Sequence, residues 1–336
     1  MSLIGIIPNP SSGKDIRRLV SEASGMDNRE KVNIVRRVLR GIDVLGVERV
    51  LIMPDPYGIG HFAMDRLSIA TPVDLLEMEV FSTPNDSRRA AARMCEMGAT
   101  CLVVLGGDGT NRMVAQVSGD VPVLPISTGT NNVWPQPTEG TLAGMAAAVV
   151  AKRLLPLEAV SDCTNRLEIC IGSMDRDERE DIALVDVAAY DGNITGSRAV
   201  WKTEYIRELV LSSAQTGTLG LSSIGAAFAT SDKPNAGLYL RMGPGGKTVM
   251  APIAPGIVNA ISIQQVRWIE VGESVELATS PCVIAVDGER ETVVREQDRV
   301  SVKLARQGPL KVNVSKTLQA AADRGLFVTN HDDSSC

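Results

Sequence analysis

Over its first third the chain alternates short, largely apolar runs with amphipathic stretches. LIGII (3–7), RVLIM (49–53), TCLVVL (100–105) and VPVLPIS (121–127) read as strands buried on both faces, and VDLLEMEVF (73–81) as a further strand. Between the first two runs, residues 29–46 place Val32, Val35, Val38, Leu39 and Ile42 on one helical stripe. Residues 82–98 read as a second helix, with Thr83 as N-cap, Pro84 at the first position and Gly98 at the end. Alternating β and α units predict a parallel sheet with helices on its faces.

The pattern changes after about residue 135. Short β-rich segments follow at 166–172, 181–190, 237–242, 247–253, 283–290, 298–304 and 310–314, each bounded by turn residues. They predict an antiparallel sandwich or layered sheet. The spacing also predicts an amphipathic helix over 201–213 and a last helix over 315–325. The expected organisation is an α/β nucleotide-phosphate-binding domain over 1–134 and a β-rich substrate domain over 135–314. A terminal helix, 315–330, packs back on the first domain, and a polar tail, NHDDSSC, is expected to be disordered.

Composition narrows the functions open to such a fold. A net charge of −6 speaks against nucleic acid as partner, and an aromatic share of 3% leaves few surfaces for stacking bases. No apolar run approaches the ~20 residues that span a bilayer, and MSLIGIIPNP lacks the basic start of a signal peptide. Six cysteines without a C-x-x-C pair fit a reduced, cytoplasmic setting. Two histidines, His61 and His331, argue against a zinc site or a Ser-His-Asp triad. Catalysis would then rest on carboxylates, backbone amides, Lys or Arg and a hard metal ion. No residues are assigned as metal ligands.

Three polar loops follow the predicted strands. The first, NPSSGK (9–14), offers Asn9, Ser11, Ser12, Gly13 and Lys14. The second, GGDGT (106–110), places Asp108 among Gly106, Gly107 and Gly109, before Thr110 and Asn111. The third, STGTNN (127–132), offers Thr128, Gly129, Thr130, Asn131 and Asn132. Alone, each is an ordinary turn. Together, at the carboxyl ends of parallel strands, they describe a cleft for nucleotide phosphates. A helix starting near Asn111 would aim amides at the anion. A carboxylate beside phosphates needs a cation or a substrate hydroxyl between them. Asp108 would therefore orient Mg²⁺ or accept the proton of an attacking hydroxyl. GGKT (245–248) is no P-loop, because Arg241 stands where a glycine is required, and it reads as a hairpin turn. The segments DGN (191–193) and DGE (287–289) also read as hairpin turns.

These loops, in this order, resemble the superfamily of NAD kinases, diacylglycerol kinases and sphingosine kinases. The sequence is most similar to the NAD kinase-like acetoin-catabolism protein X group. AQTGTLGLSS (214–223), APIAPGIVNA (251–260) and VDGE (286–289) are similar to later segments of the same superfamily. The resemblance implies an ATP-dependent, Mg²⁺-requiring kinase acting on a hydroxyl of a small metabolite or dinucleotide, with NAD as a possible substrate or ligand. It implies Asp108 as the catalytic residue. Asp186, Thr216, Gly217, Thr218, Asp287 and Glu289 would face the acceptor. A homodimer or homotetramer is implied as well. Val185 and Asp186 stand where NAD kinases carry Asn-Glu, so the surface that reads NAD is altered. A non-catalytic NAD(H) or ATP sensor, a lipid kinase and a structural partner of a dehydrogenase complex are the alternatives.

Overall fold

The computed structural model describes residues 2–14, 21–22, 25–173, 176–191, 202–233 and 235–328. The predicted tail, His331, Cys336 and most of DGN lie outside the described residues.

The first half builds β1 (Leu3–Pro8), α1 (Asn28–Asp43), β2 (Arg49–Ile52), α2 (Ile59–Met64), β3 (Val73–Leu75), α3 (Asn85–Glu96), β4 (Cys101–Gly106), α4 (Asp108–Ala115) and β5 (Val123–Ser127). The chain continues through α5 (Gly140–Ala151), α6 (Leu157–Val160) and β6 (Ser161–Cys163). The β-rich half holds β7 (Arg166–Ser173), β8 (Arg176–Ala183), β9 (Asp186–Tyr190), β10 (Ile206–Leu211), α7 (Ser222–Ala226), β11 (Gly237–Ala254), β12 (Ile257–Ile269), β13 (Ser274–Leu277), β14 (Cys282–Val286), β15 (Glu289–Val294) and β16 (Arg299–Ala305). Strand β17 (Leu310–Val312) and helix α8 (Val314–Asp323) return to the first half.

The first sheet runs β3-β2-β1-β4-β5-β17-β6, and its first five strands are parallel. Successive units step outward from β1 to β3, then cross back to β4 on the other side. The loops leaving β1 and β4 therefore diverge, and the crevice between them is the switch point where such sheets take ligands. Both faces are covered, which explains the unbroken apolar runs. Ile4, Ile6, Val103 and Leu105 pack with α1 and α5 on one face, while Leu3, Ile7, Leu102 and Val104 pack with α3 on the other. Residues beyond the change of pattern at 135 enter this core too: Ala143, Ala147, Val160, Val312 and Ala321 join the α1 side.

The β-rich half stacks a six-stranded sheet, β12-β11-β10-β9-β14-β15, on a four-stranded one, β13-β16-β7-β8. Its pairings are antiparallel. Val187, Val210, Ile284, Val300 and Val302 fill the space between the two sheets.

Three local expectations are corrected here. Residues 201–213 do not form a helix. Strand β10 occupies 206–211, between β9 and β11, with Ile206, Leu209, Val210 and Leu211 all buried. A strand buried on both faces is a continuous apolar run, and a short one also satisfies helical spacing. GGKT does not turn between two strands. Met242 and Lys247 both pair with Ile263, so residues 243–246 loop out of one long strand as a bulge. The helix after GGDGT begins at Asp108, three residues earlier than expected, with Gly107 as its cap. DGE forms the hairpin its sequence predicts: Asp287 and Gly288 have φ of 49° and 75° between paired Val286 and Glu289.

Candidate functional site

The three loops meet at the switch point. A cleft of about 150 Å³ is lined by Asn9, Ser11, Ser12 and Gly13 from the first loop, and by Gly107, Asp108, Gly109 and Thr110 from the second. Gly129, Thr130, Asn131 and Asn132 from the third loop complete it, with Asp287 and Glu289 from the β-rich half.

Hydrogen bonds knit the loops to one another. Asn9 Nδ2 donates to Thr110 Oγ1 at 2.7 Å. The hydroxyls of Ser12 and Thr128 lie 2.7 Å apart, and the Thr128 amide donates to the Gly106 carbonyl at 3.1 Å. Asn111 caps its own turn, donating from Nδ2 to the Gly107 carbonyl at 2.9 Å. Asn131 reaches the β-rich half, donating from Nδ2 to the Ile253 carbonyl at 2.9 Å. Gly106 and Gly107 of GGDGT serve close approach rather than unusual backbone angles. A β-carbon on Gly106 would stand 2.4 Å from Thr110 Cβ. One on Gly129 would stand 2.5 Å from Asn132 Oδ1.

Asp108 sits at the first position of α4 and is buried. Its carboxylate reaches across to the third loop. It accepts from the Trp134 amide at 2.8 Å and from the Val133 amide at 3.1 and 3.2 Å. Asp287 is held in the same way by the β-rich half. It accepts from the amides of Leu184, Val185 and Asp186 at 3.1, 2.8 and 3.3 Å. Asp186 answers by accepting from the Gly288 amide at 3.2 Å. Burial pushes the Asp287 carboxyl above its ordinary range, opposed by the Arg112 guanidinium 3.9 Å away and by those amides. Arg112, one turn into the GGDGT helix, also pairs with Asp181 of β8 at 2.7 Å. This one buried arginine thereby ties the glycine loop to the second half.

Lys31 was not singled out by the sequence motifs. It is fully buried at the start of α1, beneath the first loop. Its ammonium donates to the carbonyls of Asn9, Pro10 and Ser12 at 2.9, 3.2 and 2.9 Å. Carbonyls drawn inward leave the loop's outer groups turned to the cleft. The available signal was a lysine four residues before Val35, on the apolar stripe.

Other singled-out residues fall outside the cleft lining. Lys14 is exposed, with its ammonium 4.4 Å from the centre of the Tyr57 ring. Gly106, Asn111 and Thr128 are structural supports beneath it. The turn at Thr216, Gly217 and Thr218 is at the surface, and Asp186 is turned into the Gly288 contact.

The lining is notable for charge. Asp108, Asp287 and Glu289 contribute three carboxyl groups, and no Lys or Arg appears among the described lining residues. Behind the 133–134 segment lies a second crevice of about 160 Å³, lined in part by Val133, Trp134 and Lys311. Lys311 donates to the Trp134 carbonyl, and burial lowers its pKa against the pull of Asp108 and Asp162.

The comparisons agree with this architecture. The ATP-NAD kinase N-terminal domain family matches residues 4–154, and the acetoin catabolism protein X C-terminal domain family matches residues 165–307. Yeast NADH kinase, solved in complex with NADH, superposes with a TM-score of 0.55 at 14% identity, covering 100% of this chain and 90% of that one. The fold is that of the NAD kinase class. Acetoin catabolism protein X of Cupriavidus necator is 34% identical, over 97% of this chain and 94% of its own length. The chain belongs to the acetoin catabolism protein X family. Among the described residues no helix is long and apolar enough to cross a membrane.

Proposed function

We propose that the protein is an ATP-dependent, Mg²⁺-requiring kinase of NAD kinase type, transferring a phosphoryl group to a hydroxyl of a small metabolite or dinucleotide. The observation that supports this most is the meeting of three phosphate-suited loops around Asp108 at the sheet's switch point. The first turn of α4 offers amides without partners inside the helix, and its dipole favours an anion there. Ser11, Thr110, Thr130 and Asn132 supply side-chain donors around it. Such a site works mainly by positioning and electrostatics, which is what phosphoryl transfer demands.

The charge of the lining supports the metal. Asp287 is balanced by Arg112, but Asp108 and Glu289 also line the cleft, and a divalent ion between them and a polyphosphate would offset their repulsion. Mg²⁺ is commonly held by one or two carboxylates together with substrate phosphates. Glu289, whose Oε1 lies 3.7 Å from the position of a β-carbon on Gly109, is the residue suited to hold it. When bound, the ion would neutralise charge on the phosphates.

Asp108 would orient the acceptor hydroxyl. Its carboxylate accepts from the Val133 and Trp134 amides. A loose transition state needs little general base. A role in acetoin catabolism, supported by the name of the 34% identical relative, belongs to the same proposal, as do a cytoplasmic setting and a homo-oligomeric assembly.

The test is turnover with ATP and Mg²⁺ against NAD, NADH, diols, hydroxy acids and diacylglycerol, for the wild type and Asp108→Asn. One phosphorylated acceptor, with turnover lost and ATP binding kept in the variant, supports the kinase. The tie between Asp108 and the 133–134 amides favours a second reading, a sensor that binds NAD(H) or ATP without turnover. Binding without any product would establish that reading in place of the first.

A further inference from the structure

Two lysines serve the first loop, and they are placed in opposite ways. Lys14, inside the motif, is exposed, with its ammonium 4.4 Å from the centre of the Tyr57 ring. Lys31, outside the motif, is fully buried, with its ammonium against the carbonyls of residues 9, 10 and 12. We propose that Lys31 is a positioning residue for the phosphates of a nucleotide in the cleft, acting through the first loop. This rests on the cleft being a nucleotide site, and not on a phosphoryl group being transferred there.

First, Lys31 stands where its own helix disfavours it. It lies four residues after the N-cap, Asp27. The dipole at that end of a helix favours anions, as the neighbouring Glu30 and Asp27 illustrate. It also occupies the buried stripe of α1, one turn before Val35. A methionine or leucine would suit the stripe better. A buried position that breaks local rules is expected where function compensates the cost.

Second, the ammonium orients the loop. It donates to the carbonyls of Asn9, Pro10 and Ser12, and to Asn28 Oδ1 at 3.3 Å. The peptide bonds after Pro10 and Ser12 are trans, so their N–H ends, on Ser11 and Gly13, point away from the ammonium. Ser11 and Gly13 both line the cleft. Lys31 therefore holds two peptide dipoles with their positive ends away from itself, at residues that meet a ligand.

Third, the cleft needs positive charge. Asp108, Asp287 and Glu289 line it, and no Lys or Arg does among the described lining residues. Lys31 sits directly beneath Asn9 and Ser12, which line it too. A buried charge is screened much less than an exposed one, so its field extends through the loop to an anion set upon it.

Lys152 provides the control. It donates to the carbonyls of Leu45 and Gly46, beyond the other end of α1 and roughly 20 Å along the helix from Lys31. Calorimetric titration of the full chain with ATP and with AMP, at constant Mg²⁺, makes the test. Lys31→Met should weaken ATP at least tenfold and AMP no more than threefold, because the loss grows with phosphate charge. Lys152→Met, which loses the same charge, should bind both as the wild type does. Lys31→Gln keeps donors but not the charge. It should weaken ATP more than AMP, and it serves alone if the methionine variant does not fold. Equal losses for ATP and AMP would make Lys31 a prop for the loop's shape and overturn the proposal. So would unchanged ATP affinity, or the same loss in Lys152→Met. Binding without turnover in the wild type removes the kinase reading and leaves the role of Lys31 standing. A wild type that binds neither nucleotide overturns both.

Discussion

The cleft and the crevice behind Trp134 lie on two sides of one short segment, yet they treat charge in opposite ways. The cleft gathers three carboxyl groups and no described cation, whereas the crevice holds one lysine and no carboxylate among its described lining residues. Residues 133 and 134 serve both, presenting amides to Asp108 and, through the Trp134 carbonyl, an acceptor to Lys311. A single peptide segment can do this because its N–H and C=O groups point in opposite directions. Main-chain dipoles here set where each sign of charge can be held. Local composition does not.

The largest expected effect comes from removing the carboxylate that faces both amides. Asp108→Asn should lower any turnover by about 10²–10⁴-fold, the range for a lost group acting at the reacting hydroxyl. Steady-state assay on the identified acceptor checks this. Unchanged turnover would mean the carboxylate serves only to hold the third loop.

Breaking the link between the halves comes next. Arg112 is almost wholly buried between Asp181 and Asp287. Arg112→Leu leaves two carboxylates without their cation and should cost about 3–5 kcal/mol, the range for breaking buried pairs. Denaturant unfolding measures it. A loss under 1 kcal/mol would show that the amides of 184–186 hold Asp287 unaided.

Chelation sharpens the contrast in charge. With EDTA, ATP affinity of the cleft should fall by at least tenfold, and adding Mg²⁺ should restore it. Fluorescent nucleotide titration reads this directly. Equal ATP affinity with and without the metal would show that the three carboxyl groups do not repel the phosphates.

The smallest effect concerns Glu208, which lines neither cleft nor crevice. Burial pushes Glu208 upward, but hydrogen bonds from Thr279, Tyr239 and the amides of Ala278 and Thr279 outweigh it, and its carboxyl titrates below the ordinary 4.5. The unfolded chain then takes up that proton first as pH falls. Its stabilisation is full above the unfolded value and is lost as pH falls through the folded one. Glu208→Gln should flatten that part of the acid-unfolding curve. An unchanged slope would assign the acid sensitivity to other groups.

Much of this was legible in the chain itself. Largely apolar runs located the parallel strands, since strands covered on both faces admit no polar alternation. Asp287-Gly288 marked its own hairpin, because two successive positive φ values favour those residue types. The three loops could be assigned to one sheet edge because each follows a strand of the same direction. Local pattern failed where a short apolar run served two periods, as at β10, and where an insertion stayed within one strand, as at 243–246.

The sequence by itself determined the class of fold, the order of the loops and the presence of Asp108 at their centre. Only the tertiary structure decided what each buried charge touches. Lys31 finds carbonyls 19 to 22 residues away, and Asp108 finds amides 25 and 26 residues away. Arg112 and Asp287 find partners far along the chain. Those partners are mostly main-chain atoms, which every residue carries and no side-chain pattern distinguishes. Their selection depends on which loops the sheet brings together, and that is settled when the two halves pack.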